Sequence, residues 1–368
     1  MAKKRTVWHK WLLAVLPLIV AALLYFLLPC FPEFTEYVIV RGIFRFVSIP
    51  ITFLLSLIPI SVTELVVVLA VPAIITLTSV FIYRLVKRAD RKAIAEKGAR
   101  FVCWCVSIAA LTFMIMDGGN FSRLSVGDLM KLNDNTYDAV FLQQVTTDIA
   151  KKASAARQSV AEDENGCMQL SDNLQTALLQ ADNCYNKLRD TYPFFKSGVW
   201  RVKPVILSRY WSYTGYTGVY CPWLGEVSIN VDMPQSSLYY TATHEIAHTM
   251  GFAREDACNF IAFLACTTSD IPDAVYSGYL SAFVYCYNAL YAYDPALCVS
   301  VREGCSDGVF RDLKQRNTYW KQFEGDVMTS SQDFNDTFIK VNGVESGVLS
   351  YNQVVSLILR YYDTYIIL

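Results

Sequence analysis

His244-Glu245-Ile246-Ala247-His248-Thr249-Met250-Gly251-Phe252-Ala253-Arg254-Glu255-Asp256-Ala257-Cys258-Asn259 is the stretch on which the reading of this chain turns. It opens with an HExxH pattern. On a helix, residues four apart share a face, so the imidazoles of His244 and His248 can hold one metal ion while Glu245 reaches a water beside it. A zinc ion in such a place polarises a carbonyl and acidifies water. A glutamate at the second motif position is placed to take the water's proton and deliver it to a leaving amine, which is peptide hydrolysis without a covalent intermediate. Five residues can also match by chance on an ordinary helix. The chain has only 3 histidines, however, and two of them stand here at ligand spacing. The third, His9, lies in a basic segment ahead of an apolar run and reads as an interfacial residue.

A catalytic zinc takes three protein ligands and keeps one position open. With no histidine left, the third ligand has to be a carboxylate or a cysteine. Gly251 and Phe252 end the motif helix and Arg254 to Phe260 reads as the start of another, which folds Glu255 back toward the metal. Asp256 is the rival, and the ordinary role for either acid is a charge in a helix's first turn. Asn259 falls one turn beyond Glu255, where it can hydrogen-bond and orient a ligand. Cys258 and Cys266 read as packing residues, because thiolate ligands would close the site. Among Tyr319, Trp320, Asn335, Lys340 and Tyr351, all with ordinary core or surface readings, Tyr351 is favoured as a hydrogen-bond donor to an oxyanion, since a phenol can reach in from a second element.

The flanking composition is unusual. Hydrophobic residues make up 54% of the 368 residues, and the mean hydropathy is +0.29, more than an ordinary soluble chain carries. Trp11 to Leu28 is apolar apart from Pro17 and follows Lys3, Lys4, Arg5 and Lys10; no small-residue cleavage site succeeds it, so it reads as a retained helix. Val62 to Tyr83 has no charge after Glu64, and Phe101 to Met116 is a shorter apolar run. These predict about three transmembrane helices, near residues 11–28, 62–83 and 101–116. The segment 43–60, interrupted by Arg45, Pro50 and Pro59, reads as interfacial or re-entrant. Basic residues at the N-terminus and between Arg84 and Arg100 belong in the cytoplasm, so three crossings place the remainder outside the cell membrane. The few ionisable groups in the spans argue against a transporter. A net charge of -1 removes the basic field that nucleic-acid binding needs.

From Asp117 onward the composition becomes that of a globular domain. The expected organisation is a membrane domain, 1–116, and an extracytoplasmic catalytic domain, 117–368. Asn133 to Tyr192 reads as helical, Val199 to Leu207 and Val219 to Val231 as strands, and Tyr276 to Tyr291 as a buried helix. None of the eleven cysteines forms a CxxC pair. Outside the cell, Cys167 with Cys184 and Cys298 with Cys305 are candidate disulfides. The fold class is α+β, mainly helical, with a small β-sheet.

Gly218-Val219-Tyr220-Cys221-Pro222, Gly225-Glu226-Val227-Ser228-Ile229-Asn230 and the HExxHxxGFxxExxxN pattern together resemble an uncharacterised bacterial family of membrane-anchored, zincin-like metallopeptidases, domain of unknown function 3810. The resemblance extends over the whole chain. It implies a gluzincin-like arrangement in which His244, His248 and Glu255 hold Zn2+. It also implies that the strand Gly225 to Val231 is the edge to which an extended peptide or protein substrate adds. The expected function is therefore a zinc metallopeptidase anchored in the lipid bilayer. The alternative is a catalytically silent zinc-binding membrane protein that recognises peptides or partner proteins, and the presence of Glu245 between the ligands favours the enzyme.

Overall fold

The computed structural model describes residues 2–87, 90–344 and 351–366, with side chains from residue 8 onward other than those of 351 and 352. It is mainly helical with two small sheets. Four helical segments are long and apolar enough to cross a membrane: Trp8–Cys30, Pro32–Ser56, Val62–Lys87 and Arg91–Met116. Sequence periodicity suggests three, and the difference is the segment Pro32–Ser56, whose prolines and Arg45 mask a continuous helix. Pro50 sits inside it, and residues Thr35–Phe44 wind as a wide π-helical turn.

That segment has an inverted character. Thr35, Glu36, Ser48, Thr52 and Ser56 are buried, while Phe46, Leu54 and Phe34 face outward. Glu36 near its start pairs with Arg123 (2.8 Å), and Ser56 at its end accepts a hydrogen bond from the Trp200 backbone (3.0 Å). Both ends thus rest on the globular half. The other three segments meet that half near one end: Leu28 lies beside Gly119, Thr63 donates its backbone N–H to Glu226 (2.8 Å), and the Met116 carbonyl meets Tyr220. The opposite ends carry Lys10, Arg84, Lys87, Arg91 and Lys92. Val62–Lys87 is exposed and apolar all round past its first turn, as lipid contact requires.

The globular half is built around the helix Glu255–Thr268. Asp256 through Cys266 are all buried, so this helix is enclosed on every face and forms the axis of the core. Phe260, Ile261 and Leu264 each contribute about 1.5–3 kcal/mol by burial alone. The motif helix Leu238–Thr249, the helix Pro272–Tyr293 and the last helix Tyr351–Tyr365 pack against it, and Ala139–Arg157 packs on Pro272–Tyr293. The helical stretch expected over 133–192 forms in two parts, Ala139–Arg157 and the shorter helices from Leu174 to Thr191, parted by a turn in which Asp163 accepts from the backbone N–H of Asn165 and Cys167, with Gly166 at φ +69°. The main sheet has three strands in the order Lys203–Pro204, Glu226–Ile229, Gly218–Cys221. The first pair is parallel and the second antiparallel. All eleven cysteines are free, so the expected Cys167–Cys184 and Cys298–Cys305 disulfides are not formed. Cys298 instead contacts the Tyr287 carbonyl, and Cys184 is buried in the core.

Candidate metal centre

The motif helix ends where the sequence says it should. Gly251 follows it with φ +82°, a left-handed conformation that glycine adopts without a Cβ penalty. A side chain there would also strike Val40 at 2.8 Å. The carbonyls of Met250 and Gly251 accept from the guanidinium of Arg123 (3.3 and 2.9 Å), which in turn lies 3.8 Å above the Phe252 ring and is held by Glu36. This strut fixes the turn Met250–Arg254, after which the core helix begins at Glu255.

The turn brings the carboxylate back over the motif. Glu255 Oε2 lies 3.1 Å from His244 Nε2 and its Oε1 lies 3.8 Å from His248 Nε2, and the three groups offer ligand atoms within 4.8 Å of one another. The other nitrogen of each ring is occupied by an acceptor: His244 Nδ1 meets Asn259 Oδ1 at 3.0 Å and His248 Nδ1 meets the Phe252 carbonyl at 2.8 Å. Each ring is thereby turned so that Nε2 points to the common centre, the arrangement that metal-binding histidines need. Asn259 Oδ1 also accepts from Tyr240 (3.3 Å) and Tyr285 (3.2 Å), so its orientation is set by two phenols. The donor set of two imidazoles and one carboxylate suits a divalent ion such as zinc and leaves room for a further ligand.

Charge inside the cluster is uneven. Burial alone would lower His244, but the hydrogen bond and charge of Glu255 carry it up to about 9. Burial pushes His248 down to about 4. Glu255 is held low, the His244 imidazole outweighing burial. Without a metal, His244 and Glu255 therefore form an ion pair on the cluster's own axis. Glu245 is raised to about 8 by burial, with a smaller opposing pull from His244, and accepts a hydrogen bond from the Tyr220 backbone.

The family match covers this unit as a whole. The family described as a protein of unknown function, DUF3810, matches residues 39–359, from the Pro32–Ser56 segment to the last helix. The chain belongs to the DUF3810 family. No curated protein and no solved structure matches it.

For this DUF3810 member, the structure brings together His244, Glu245, His248, Glu255 and Asn259. Asp256 instead pairs with Arg254 (3.1 Å). Cys258 sits behind His248, 3.4 Å from Nδ1 and donating to the Phe252 carbonyl. Tyr351 opens the last helix, and its side chain lies outside the described residues. Tyr319 is engaged by Ser212 and Asp232 (2.8 Å), and Lys340 by Asp336 (2.6 Å). The strand Glu226–Ile229 is not an edge, since it is paired on both sides; the edge beside the motif is Gly218–Cys221. A Cβ at Gly218 would lie 2.7 Å from the Glu245 carboxylate, so glycine lets the strand approach that side chain. Three other neighbours have no site role legible in the sequence. Tyr220 stacks on His248 (centroids 5.9 Å apart, 12° between planes). Tyr285 holds Asn259, and Asp117, directly after the Arg91–Met116 helix, is pushed up to about 8 by burial and then by the charge of Glu255. Only long-range folding assembles them, and no local spacing announces it.

Proposed function

We propose that this chain is a membrane-anchored, zinc-dependent metallopeptidase. The single observation that carries the reading is the convergence of His244 Nε2, His248 Nε2 and the Glu255 carboxylate, with a fourth ionisable group, Glu245, beside them and hydrogen-bonded to an edge strand. An ion bound there would supply a Lewis acid that polarises a peptide carbonyl and acidifies water. The chain's own residues do the rest. Glu245, protonated in the metal-free site and ionised once a cation lies beside it, would take a proton at its carboxylate and return it to the departing amine. Asn259 and the Phe252 carbonyl keep both imidazoles turned inward. The strand Gly218–Cys221, paired on one side by Glu226–Ile229, would offer an extended substrate an edge to join.

The membrane arrangement supports an extracytoplasmic catalytic domain. Three segments touch the globular half at one end and carry clustered lysine and arginine at the other, and basic ends are retained in the cytoplasm. The Pro32–Ser56 segment, resting at both ends on the domain, then lies in the interface.

Elemental analysis of the purified full-length protein tests the site. About one zinc per chain is expected, and none in His244→Ala/His248→Ala. Glu245→Gln should retain the metal and lose about 10²–10⁴-fold in turnover of a degenerate peptide mixture. Wild-type protein that is folded and free of metal would remove the reading. Retained metal without turnover in the wild type would favour a silent zinc-binding protein.

A further inference from the structure

The hairpin that flanks Glu245 reaches toward the membrane helices. Its edge strand, Gly218–Cys221, begins beneath the Glu245 carboxylate and leads to the turn bearing Trp223. Trp223 is 52% exposed and donates its indole N–H to the carbonyl of Ala109 (3.1 Å). Ala109 precedes Met116 by seven residues, so the indole lies about 10 Å down the membrane helix from its end. Tryptophan at that depth occupies the layer where amphipathic rings gather.

Other exposed apolar side chains lie on segments tied to the domain-side ends of the apolar helices. Ile206 and Leu207 hang from a loop whose backbone N–H groups are bound by Glu64 (2.8 and 2.7 Å), at the head of the Val62–Lys87 helix. Trp200 is tied to Ser56. On the helix Asp326–Val341, Val327, Phe334 and Val341 face outward, and its last residue accepts from Tyr25 Oη (2.6 Å) on the first membrane helix. An apolar rim therefore continues the membrane helices around the base of the domain, and the metal cluster sits just inside it: Val40 and Phe44 underlie Gly251, and Asp117 neighbours Glu255.

We infer that the substrate is a polypeptide anchored in the bilayer, cut close to where it leaves the hydrocarbon. This rests on the peptidase reading and adds its substrate class. A chain rising beside the edge strand from the level of Trp223 to that of Gly218 covers about five residues, roughly 16 Å in extended form. A soluble chain end would have to descend to the membrane surface to enter, whereas an anchored one is delivered there.

The test uses zinc-loaded full-length protein in vesicles of phosphatidylethanolamine and phosphatidylglycerol. One probe is a degenerate peptide library joined to a Leu/Ala transmembrane helix, and the other is the same library free; cut positions are read by mass spectrometry. Cuts in the anchored library should concentrate about five residues from the helix end, with about tenfold enrichment over more distant positions, because a tether fixes local concentration by its reach. Simple colocalisation would raise cutting at all positions alike. Uniform cuts along the anchored library, or equal cutting of the free one, would overturn the inference and leave the peptidase standing. If neither library is cut, the peptidase reading falls and this inference with it.

Discussion

At the scale of single residues, the His244, Glu245, His248 and Glu255 cluster holds protons that a bound metal would displace. In the metal-free protein His244 is held up to about 9 against burial by Glu255, and Glu245 is raised to about 8 by burial. Both carry protons at pH 7. A ligand imidazole must be neutral, and a nearby dication favours an ionised Glu245. Zinc uptake at pH 7 should therefore release one proton from His244 and up to one more from Glu245, a release that fades as pH rises past about 9, where the free site is already deprotonated. Calorimetric titration in buffers of different ionisation enthalpy counts these protons directly, and a buffer-independent enthalpy at pH 7 would contradict the assignment. Spacing makes His244, Glu245 and His248 legible, because four residues make a helical turn; it narrows the third acid to Glu255 or Asp256, because a glycine can reverse the chain within a few residues, and places Asn259 a turn beyond Glu255. Tyr220, Tyr285 and Asp117 are not legible, because each arrives from a different element more than twenty residues away in sequence.

At the scale of elements, helices are easier to foresee than strands. The long apolar periodicities over Val62–Lys87 and Pro272–Tyr293 carry their own signal, whereas the strands are two to four residues long and take their order from pairing. Nothing in Gly225 to Val231 says that it will be flanked on both sides, and so the edge falls to Gly218–Cys221. That edge makes a sharp prediction. Gly218 has an ordinary backbone conformation, so its glycine is required by space rather than by φ, with Glu245 only 2.7 Å from where a methyl group would stand. Gly218→Val should force the carboxylate aside, leaving zinc content near wild type while turnover falls by about 10²-fold, since about 1 Å of misplacement costs that much. Gly251 is different: its φ is +82° and Val40 crowds it, so Gly251→Val should lower the thermal midpoint and the zinc content together. Matching effects of the two substitutions on zinc content would refute the distinction.

At the scale of the whole molecule, a buried ion pair joins the Pro32–Ser56 segment to the turn Met250–Arg254. Glu36 is fully buried, accepts two bonds from Arg123, and Arg123 passes that anchorage to the Met250 and Gly251 carbonyls. Removing one partner leaves a buried charge uncompensated, at a cost of about 3–5 kcal/mol. Glu36→Ala should thus weaken zinc retention although it touches no ligand, and unchanged retention would show that the turn is fixed without the strut. The same pair bears on topology. A helix of 25 residues runs about 37 Å, enough to cross a bilayer, yet Pro32–Ser56 is held to the domain by Glu36 at one end and Ser56 at the other. If it stays in the interface, the chain crosses three times, and the basic N-terminus and the basic Arg84 to Arg100 loop share one side opposite the domain. If it crossed, that loop and the N-terminus would lie on opposite sides, against the retention of basic loops in the cytoplasm. A reporter fused after Leu368 separates the two: an alkaline phosphatase fusion should be active and a green fluorescent protein fusion dark. The reverse pair would require a fourth crossing and would put the metal centre on the cytoplasmic face.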